Sequence, residues 1–291
     1  MIALSNSEKI ALLTDSCADL SPAMRKGKAI YTVPLRLLCA DGEFSDGVDI
    51  TAADVYRRLE RGELPKTSLP AMESVRAALE HIRKDGYRKV IAVHLSSGLS
   101  GTYNMVRLMA EEQKELEVAV FDSLSGALGM GSTVLQLWED VKGGMTWEEL
   151  TTCRAPALMR GTFAFFSVDT LEYLAKGGRI GKVAAMAGTM LAIKPIISFA
   201  GDGQLQSVAK VRGRKQVQDA LVAHLRSHQG SHRRYNLAVT NGGAAEEMRE
   251  LVKKIKAVFP KPDHFWEAEL DATLSVYIGS GVLGAVVQLL D

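Results

Sequence analysis

From Ile10 to about Phe163 the chain repeats one pattern: a short apolar run, a polar break rich in Ser, Thr, Asp and Gly, then a stretch with helically spaced apolar residues. Ile10–Leu13, Val90–His94 and Val118–Phe121 read as strands, Ile30–Leu38 as extended chain, and Ala52–Glu60 and Met72–Lys84 as amphipathic helices. Strands that alternate with helices return to one sheet edge through helical crossovers and so form parallel sheets. The pattern predicts a doubly wound, mostly parallel α/β sheet. In such sheets ligands sit beyond the carboxyl ends of the strands.

Three of these strands end in similar chemistry: Thr14-Asp15-Ser16, Ser96-Ser97-Gly98, and Asp122-Ser123-Leu124-Ser125-Gly126. If the strands are neighbours, their polar ends share one crevice. The segment from Leu95 to Tyr103 is the densest of these ends, with Ser96, Ser97, Ser100 and Thr102 around Gly98 and Gly101, and it opens a helical stretch from Asn104 to Glu115. A helix start offers unpaired N–H groups and partial positive charge, so small residues there admit an anion. Capping by Ser100 or Thr102 is the simpler alternative, but it needs a single hydroxyl. No Gly-x-x-x-x-Gly-Lys-Ser/Thr run occurs in this loop, which disfavours a nucleoside triphosphate cradle.

After Phe166 the grammar changes. Thr170–Lys176 reads as a helix meeting Gly177-Gly178-Arg179-Ile180, and Val183–Ile193 as an apolar helix of small residues that packs as core. Pro195–Phe199 and Leu205–Val211 flank Gly201-Asp202-Gly203, a hairpin signal. Val217–Arg226 and Ala244–Val258 read as helices, Tyr235–Thr240, Phe265–Leu270 and Thr273–Ile278 as strands. A hairpin mixed with helices predicts a second, mixed-sheet α+β domain, residues 166–291, after an N-terminal α/β domain, residues 1–165. Ala272–Leu290 carries no charge, yet its Thr, Ser, Gly and Gln residues make two buried strands around a glycine turn a better reading than a membrane span.

With 47% hydrophobic residues among 291, the chain can bury a substantial core. Its 35 basic and 34 acidic residues nearly cancel, so there is no electrostatic footprint for nucleic acid; Lys210-Val211-Arg212-Gly213-Arg214-Lys215 is the best local basic candidate, and it has no interleaved aromatics. Cys17, Cys39 and Cys153 fit neither a disulfide framework nor a zinc pattern, and Met1–Glu8 lacks the features of a secretory signal, so a cytoplasmic location is expected. Cys17 reads as a packed thiol, and His224, His228 and His232 as a solvated helix end broken by Gly230. A serine-dependent acyl hydrolase is the alternative function. The loop lacks a Gly-x-Ser-x-Gly elbow, and His94, inside a strand, reads as a satisfied structural histidine.

Taken together, Leu13-Thr14-Asp15-Ser16, Lys66-Thr67-Ser68-Leu69-Pro70, Ser96-Ser97-Gly98-Leu99-Ser100-Gly101-Thr102, Asp169 to Leu174 with Lys176-Gly177-Gly178-Arg179-Ile180, Ile193-Lys194-Pro195-Ile196, and Lys210 to Lys215 resemble the DegV family in order and spacing. The resemblance spans nearly the whole chain. It implies two α/β domains enclosing one long-chain fatty acid, no cofactor and no metal. It further implies a binding subunit that presents the acyl carboxylate to a separate fatty acid kinase and carries the acyl phosphate. By motif, Thr67 and Ser97 would hydrogen-bond the carboxylate with Ser96 and Gly98 beside them, while Arg179 and Arg212 would face the kinase or the acyl phosphate.

That chemistry is sound. A carboxylate leaving water needs full hydrogen bonding, which hydroxyls and backbone N–H groups can supply, and an acyl chain gains about 0.8 kcal/mol per buried methylene. One position departs from the family. Its C-terminal His-Thr-Gly-Pro-Gly stands here as Tyr277-Ile278-Gly279-Ser280-Gly281, placing Tyr277 where a histidine would help bind the carboxylate. A phenol donates one hydrogen bond but stays neutral, whereas an imidazole can become cationic. Fatty-acid binding tolerates this exchange better than phosphoryl transfer does.

Overall fold

The computed structural model describes residues 6–186 and 193–291. In chain order the first half contains β1 (Ile10–Asp15), α1 (Pro22–Arg25), β2 (Ile30–Val33), β3 (Arg36–Cys39), β4 (Gly42–Ser45), α2 (Ala52–Glu60), β5 (Lys66–Ser68), α3 (Met72–Lys84), β6 (Lys89–His94), α4 (Thr102–Glu111), β7 (Glu117–Asp122) and α5 (Ala127–Lys142). The second half contains α6 (Ala155–Arg160), β8 (Thr162–Ser167), α7 (Glu172–Lys176), β9 (Ile193–Phe199), β10 (Leu205–Arg212), α8 (Lys215–Gln229), β11 (Tyr235–Gly242), α9 (Ala245–Val258), β12 (Phe265–Glu269), α10 (Ala272–Ile278) and β13 (Val282–Leu289).

The first sheet is parallel, in the order β2-β1-β6-β7, so the strand order reverses between β1 and β6. The three polar strand ends are therefore neighbours. Expected extended chain from Ile30 to Leu38 divides at Pro34-Leu35. Pro34 has no N–H to give a ladder, and β3 leaves to pair antiparallel with β4 and β5 in a small separate sheet, with Leu37 opposite Thr67. α2 starts on a capping box in which Thr51 and Asp54 satisfy each other's backbone N–H groups.

The second sheet is mixed, in the order β10-β9-β8-β13-β11-β12, antiparallel throughout except for the parallel β11–β12 pair. α8 and α9 cover one face of this sheet through a core of Val217, Leu221, Leu251 and Ile255. α5 covers the other face and simultaneously packs on β1 and β6 of the first sheet. It is buried on nearly every side, as a helix between two sheets must be.

The structure corrects two expected elements. Thr273–Ile278 is not a strand but part of α10. Its β-branched composition favours a strand locally, yet the side chains of Asp271 and Asp46 accept hydrogen bonds from the N–H groups of Leu274, Ala272 and Thr273, which is the capping a helix start requires. Of the expected helix Val183–Ile193, residues 183–186 belong to a short 3₁₀ turn, Ile193 begins β9, and 187–192 lie outside the described residues.

Candidate functional site

Two places compete for the expected crevice at the strand ends. At the carboxyl end of β6 the side chain of Ser96 is fully buried, and its hydroxyl donates to the Gly203 carbonyl (2.8 Å) while accepting from the Gly98 N–H (3.2 Å). Gly98 lies so close to Gly203 that a Cβ there would sit 2.5 Å from a backbone carbon, and Gly203 holds φ +74°. The tip of the β9–β10 hairpin thus plugs the crevice. Ser97 is exposed, with its backbone N–H bonded to Asp122 Oδ1 at 3.1 Å.

One loop further on, between the two sheets, the structure opens a cavity of about 290 Å³. Its walls are largely apolar, with Phe165, Phe166 and Phe199 from the second sheet, Leu274 and Ile278 from α10, and Leu99 from the loop before α4. Its polar lining comes from Thr67, Ser68, Ser100, Arg179, Thr240, Thr273 and Tyr277. The hydroxyls of Thr67 and Tyr277 are hydrogen-bonded to each other. The Arg179 guanidinium lies over the Tyr277 ring, 5.1 Å from its centroid, and donates to the carbonyls of Leu99 (3.3 Å) and Gly177 (2.8 Å). Gly177 permits this stack, because a Cβ there would lie 2.3 Å from the Tyr277 ring. Among the described residues Arg179 has no carboxylate partner.

Of the residues singled out from sequence, the structure therefore brings Thr67, Arg179 and Tyr277 together at the cavity. It places Ser96, Ser97 and Gly98 outside the cavity wall, two of them against the hairpin tip. Arg212 is exposed at the end of β10 and lines no part of the cavity. Ser100 and Gly101 take the wall position that the sequence reading gave to their neighbours. Their signal was adjacency to the helix start: Gly101 is the N-cap of α4, and Ser100 Oγ is bonded to Thr102 Oγ1 at 2.9 Å.

The groups of the alternative hydrolase reading are arranged differently. His94 Nδ1 meets Asp15 Oδ2 at 2.9 Å, both fully buried, but its Nε2 has no partner among the described residues and no described serine hydroxyl is bonded to it. Cys17 is buried, and burial pushes its thiol well up. His224 and His228 are not a solvated end: they pack on Phe165 and Phe163, and burial lowers the His224 pKa. The near-coincident Cys39, Asp41 and Glu63 carry no free acid pair, since both carboxylates are paired to Arg58. No described helix is long and apolar enough to cross a membrane.

Comparison with known proteins places this geometry. A family model described as an uncharacterised protein family, DegV, matches residues 9–289. A DegV domain-containing protein of Clostridium perfringens is 35% identical over 281 residues, covering 97% of this chain and 99% of the relative. A DegV domain-containing protein of Clostridium acetobutylicum is 35% identical over 280 residues, 96% and 99% of the two chains. Among solved structures, a fatty-acid-binding DegV family protein from Thermus thermophilus superimposes with a TM-score of 0.90 at 28% identity, over 97% of this chain and all of the other. DegV from Bacillus subtilis, a fatty acid binding protein, gives 0.88 at 27% identity, over 98% and 100%. The chain belongs to the DegV family.

Proposed function

We propose that this protein binds a long-chain fatty acid, with the acyl chain in the apolar cavity and the carboxylate at Thr67, Ser100, Tyr277 and Arg179. The observation that carries this reading is the composition of the cavity: apolar walls with the bonded hydroxyls of Thr67 and Tyr277 beside a guanidinium that no described carboxylate neutralises. A carboxylate there accepts charge-assisted bonds from Arg179 and neutral bonds from the hydroxyls, while each buried methylene contributes about 0.8 kcal/mol. The relatives from Thermus thermophilus and Bacillus subtilis, described as fatty-acid-binding, support the same reading.

Native mass spectrometry of the purified protein tests it, with oleate and palmitate added and then removed by denaturation. The expected result is a mass matching a fatty acid, weakened about tenfold or more in Thr67→Ala/Ser100→Ala and in Arg179→Met, and unchanged in Ser97→Ala. A protein that refuses both acids sinks the reading.

The carrier role goes a step further: the bound acid would be presented to a separate kinase and held as acyl phosphate. The family resemblance supports it, as does Arg212, exposed and without an ion-pair partner among the described residues. Tyr277 weakens it, since a neutral phenol stands where a cationic imidazole would meet the phosphate. With a fatty acid kinase and ATP, Tyr277→His is expected to raise acyl phosphate yield; an unchanged yield removes Tyr277 as the limiting group.

A further inference from the structure

α10 stands between two openings. Thr273, Leu274, Tyr277 and Ile278 face the lipid cavity, while Asp271 and Ala272, at its start, border a cleft of about 1000 Å³ on the other side. Three carboxyl groups gather at that start. Asp46 accepts from the N–H groups of Ala272 (3.0 Å) and Thr273 (3.1 Å), Asp271 Oδ1 accepts from Leu274 (2.8 Å), and Asp19 accepts from the Asp271 N–H (2.9 Å). Asp19 also accepts from Thr240 Oγ1 at 3.3 Å, and Thr240 is part of the cavity wall.

Among the described residues no Lys, Arg or His forms an ion pair with any of the three. Asp19 and Asp46 are only 7% and 4% exposed, and Asp271 Oδ2 makes no hydrogen bond. The charged and titratable groups around them deepen the imbalance. Asp15 and Cys17 lie on the β1 side, Glu267 and Glu269 on β12, and Tyr56 on α2 is bonded to Ser275 of α10. Arg25 and Arg249 border the same cleft, but Arg25 is turned to the Leu20 carbonyl and Arg249 to Glu246.

We propose that Asp19 and Asp271, beside the helix-capping Asp46, form a proton-operated clasp on α10, holding this wall of the cavity in place while these two groups keep their protons and loosening it as they leave. Burial, reinforced by the neighbouring Asp46, pushes Asp19 up to about 7 and Asp271 well above the usual carboxylate range. With α10 released into water, each group would return to about 3.9. The docked helix therefore binds more protons than the released one, so docking is strongest below pH 4 and weakens as pH rises, by up to about tenfold per pH unit for each of the two groups, the share of Asp19 ending near pH 7. Loss of the second proton, from Asp271, extends the trend. The clasp rests on the fatty-acid reading only where its effect is read at the cavity.

Hydrogen exchange by mass spectrometry, corrected for intrinsic rates, tests it on the full chain from pH 5 to 8, beside the release rate of bound oleate. Opening of residues 274–279 and oleate release should both accelerate severalfold or more per pH unit up to pH 7, and Asp19→Asn should flatten the slope. An opening that ignores pH in the native chain, or an unchanged slope in Asp19→Asn, overturns the clasp. If that variant does not fold, the carboxyl carbon resonance of Asp19 in the native chain decides: a midpoint near 4 overturns the proposal and one near 7 supports it. If oleate binds at no pH, the fatty-acid reading fails and the exchange data still judge the clasp.

Discussion

Ser96, expected from the resemblance beside a carboxylate, has a structural part in this fold. Its hydroxyl joins the loop after β6 to the hairpin tip of the second sheet, bonding Gly203 and Gly98 at once. Ser96→Ala leaves the buried Gly203 carbonyl without that donor and is expected to cost about 1–2 kcal/mol in urea denaturation, with little change in oleate affinity. A large affinity loss at unchanged stability would return Ser96 to the binding site. Tyr277 is the converse case: read as a departure from its family, it bonds Thr67 and supports Arg179.

At the scale of elements, α10 depends on residues far away in sequence. Asp46 lies between β4 and α2, yet it accepts the first two N–H groups of a helix more than two hundred residues later. Asp46→Ala orphans both donors and is expected to destabilise the protein by about 1–3 kcal/mol. Asp46→Asn keeps one acceptor oxygen and should lose less. Equal losses in the two variants, measured by urea denaturation, would mean that the carboxylate packs rather than caps.

For the whole molecule, α5 is the shared element. Its apolar residues join the two sheets, and at its polar positions Gln136 bonds Asp140 (2.9 Å) and accepts from Asn236 (2.8 Å), while Thr133 accepts from Gln288 (3.1 Å). Arg154 closes this network on Asp140 at 2.7 Å, the two side chains being only 16% and 9% exposed, and it also donates to the Leu290 carbonyl. Arg154→Ala strands a mostly buried carboxylate and is expected to cost about 3 kcal/mol, while Arg154→Met with Asp140→Leu should cost less. If the double variant loses as much as the single one in denaturant titration, packing rather than charge pairing explains the effect.

The amino-acid sequence by itself determined the parallel sheet, the hairpin at Gly201-Asp202-Gly203 and most helices, because these follow from apolar period, turn residues and caps within a dozen positions. Through the family resemblance it pointed to Thr67 and Tyr277 for a carboxylate and to Arg179 for the kinase or acyl phosphate. Only the tertiary structure decided that Ser100 rather than Ser97 reaches the cavity, since the hairpin tip that buries Ser96 lies about a hundred residues away. It likewise turned Thr273–Ile278 from an expected strand into a helix, because the acceptors that cap it include Asp46. Local propensity sees neighbours in the chain, whereas hydrogen-bond satisfaction and close backbone approach depend on neighbours in space.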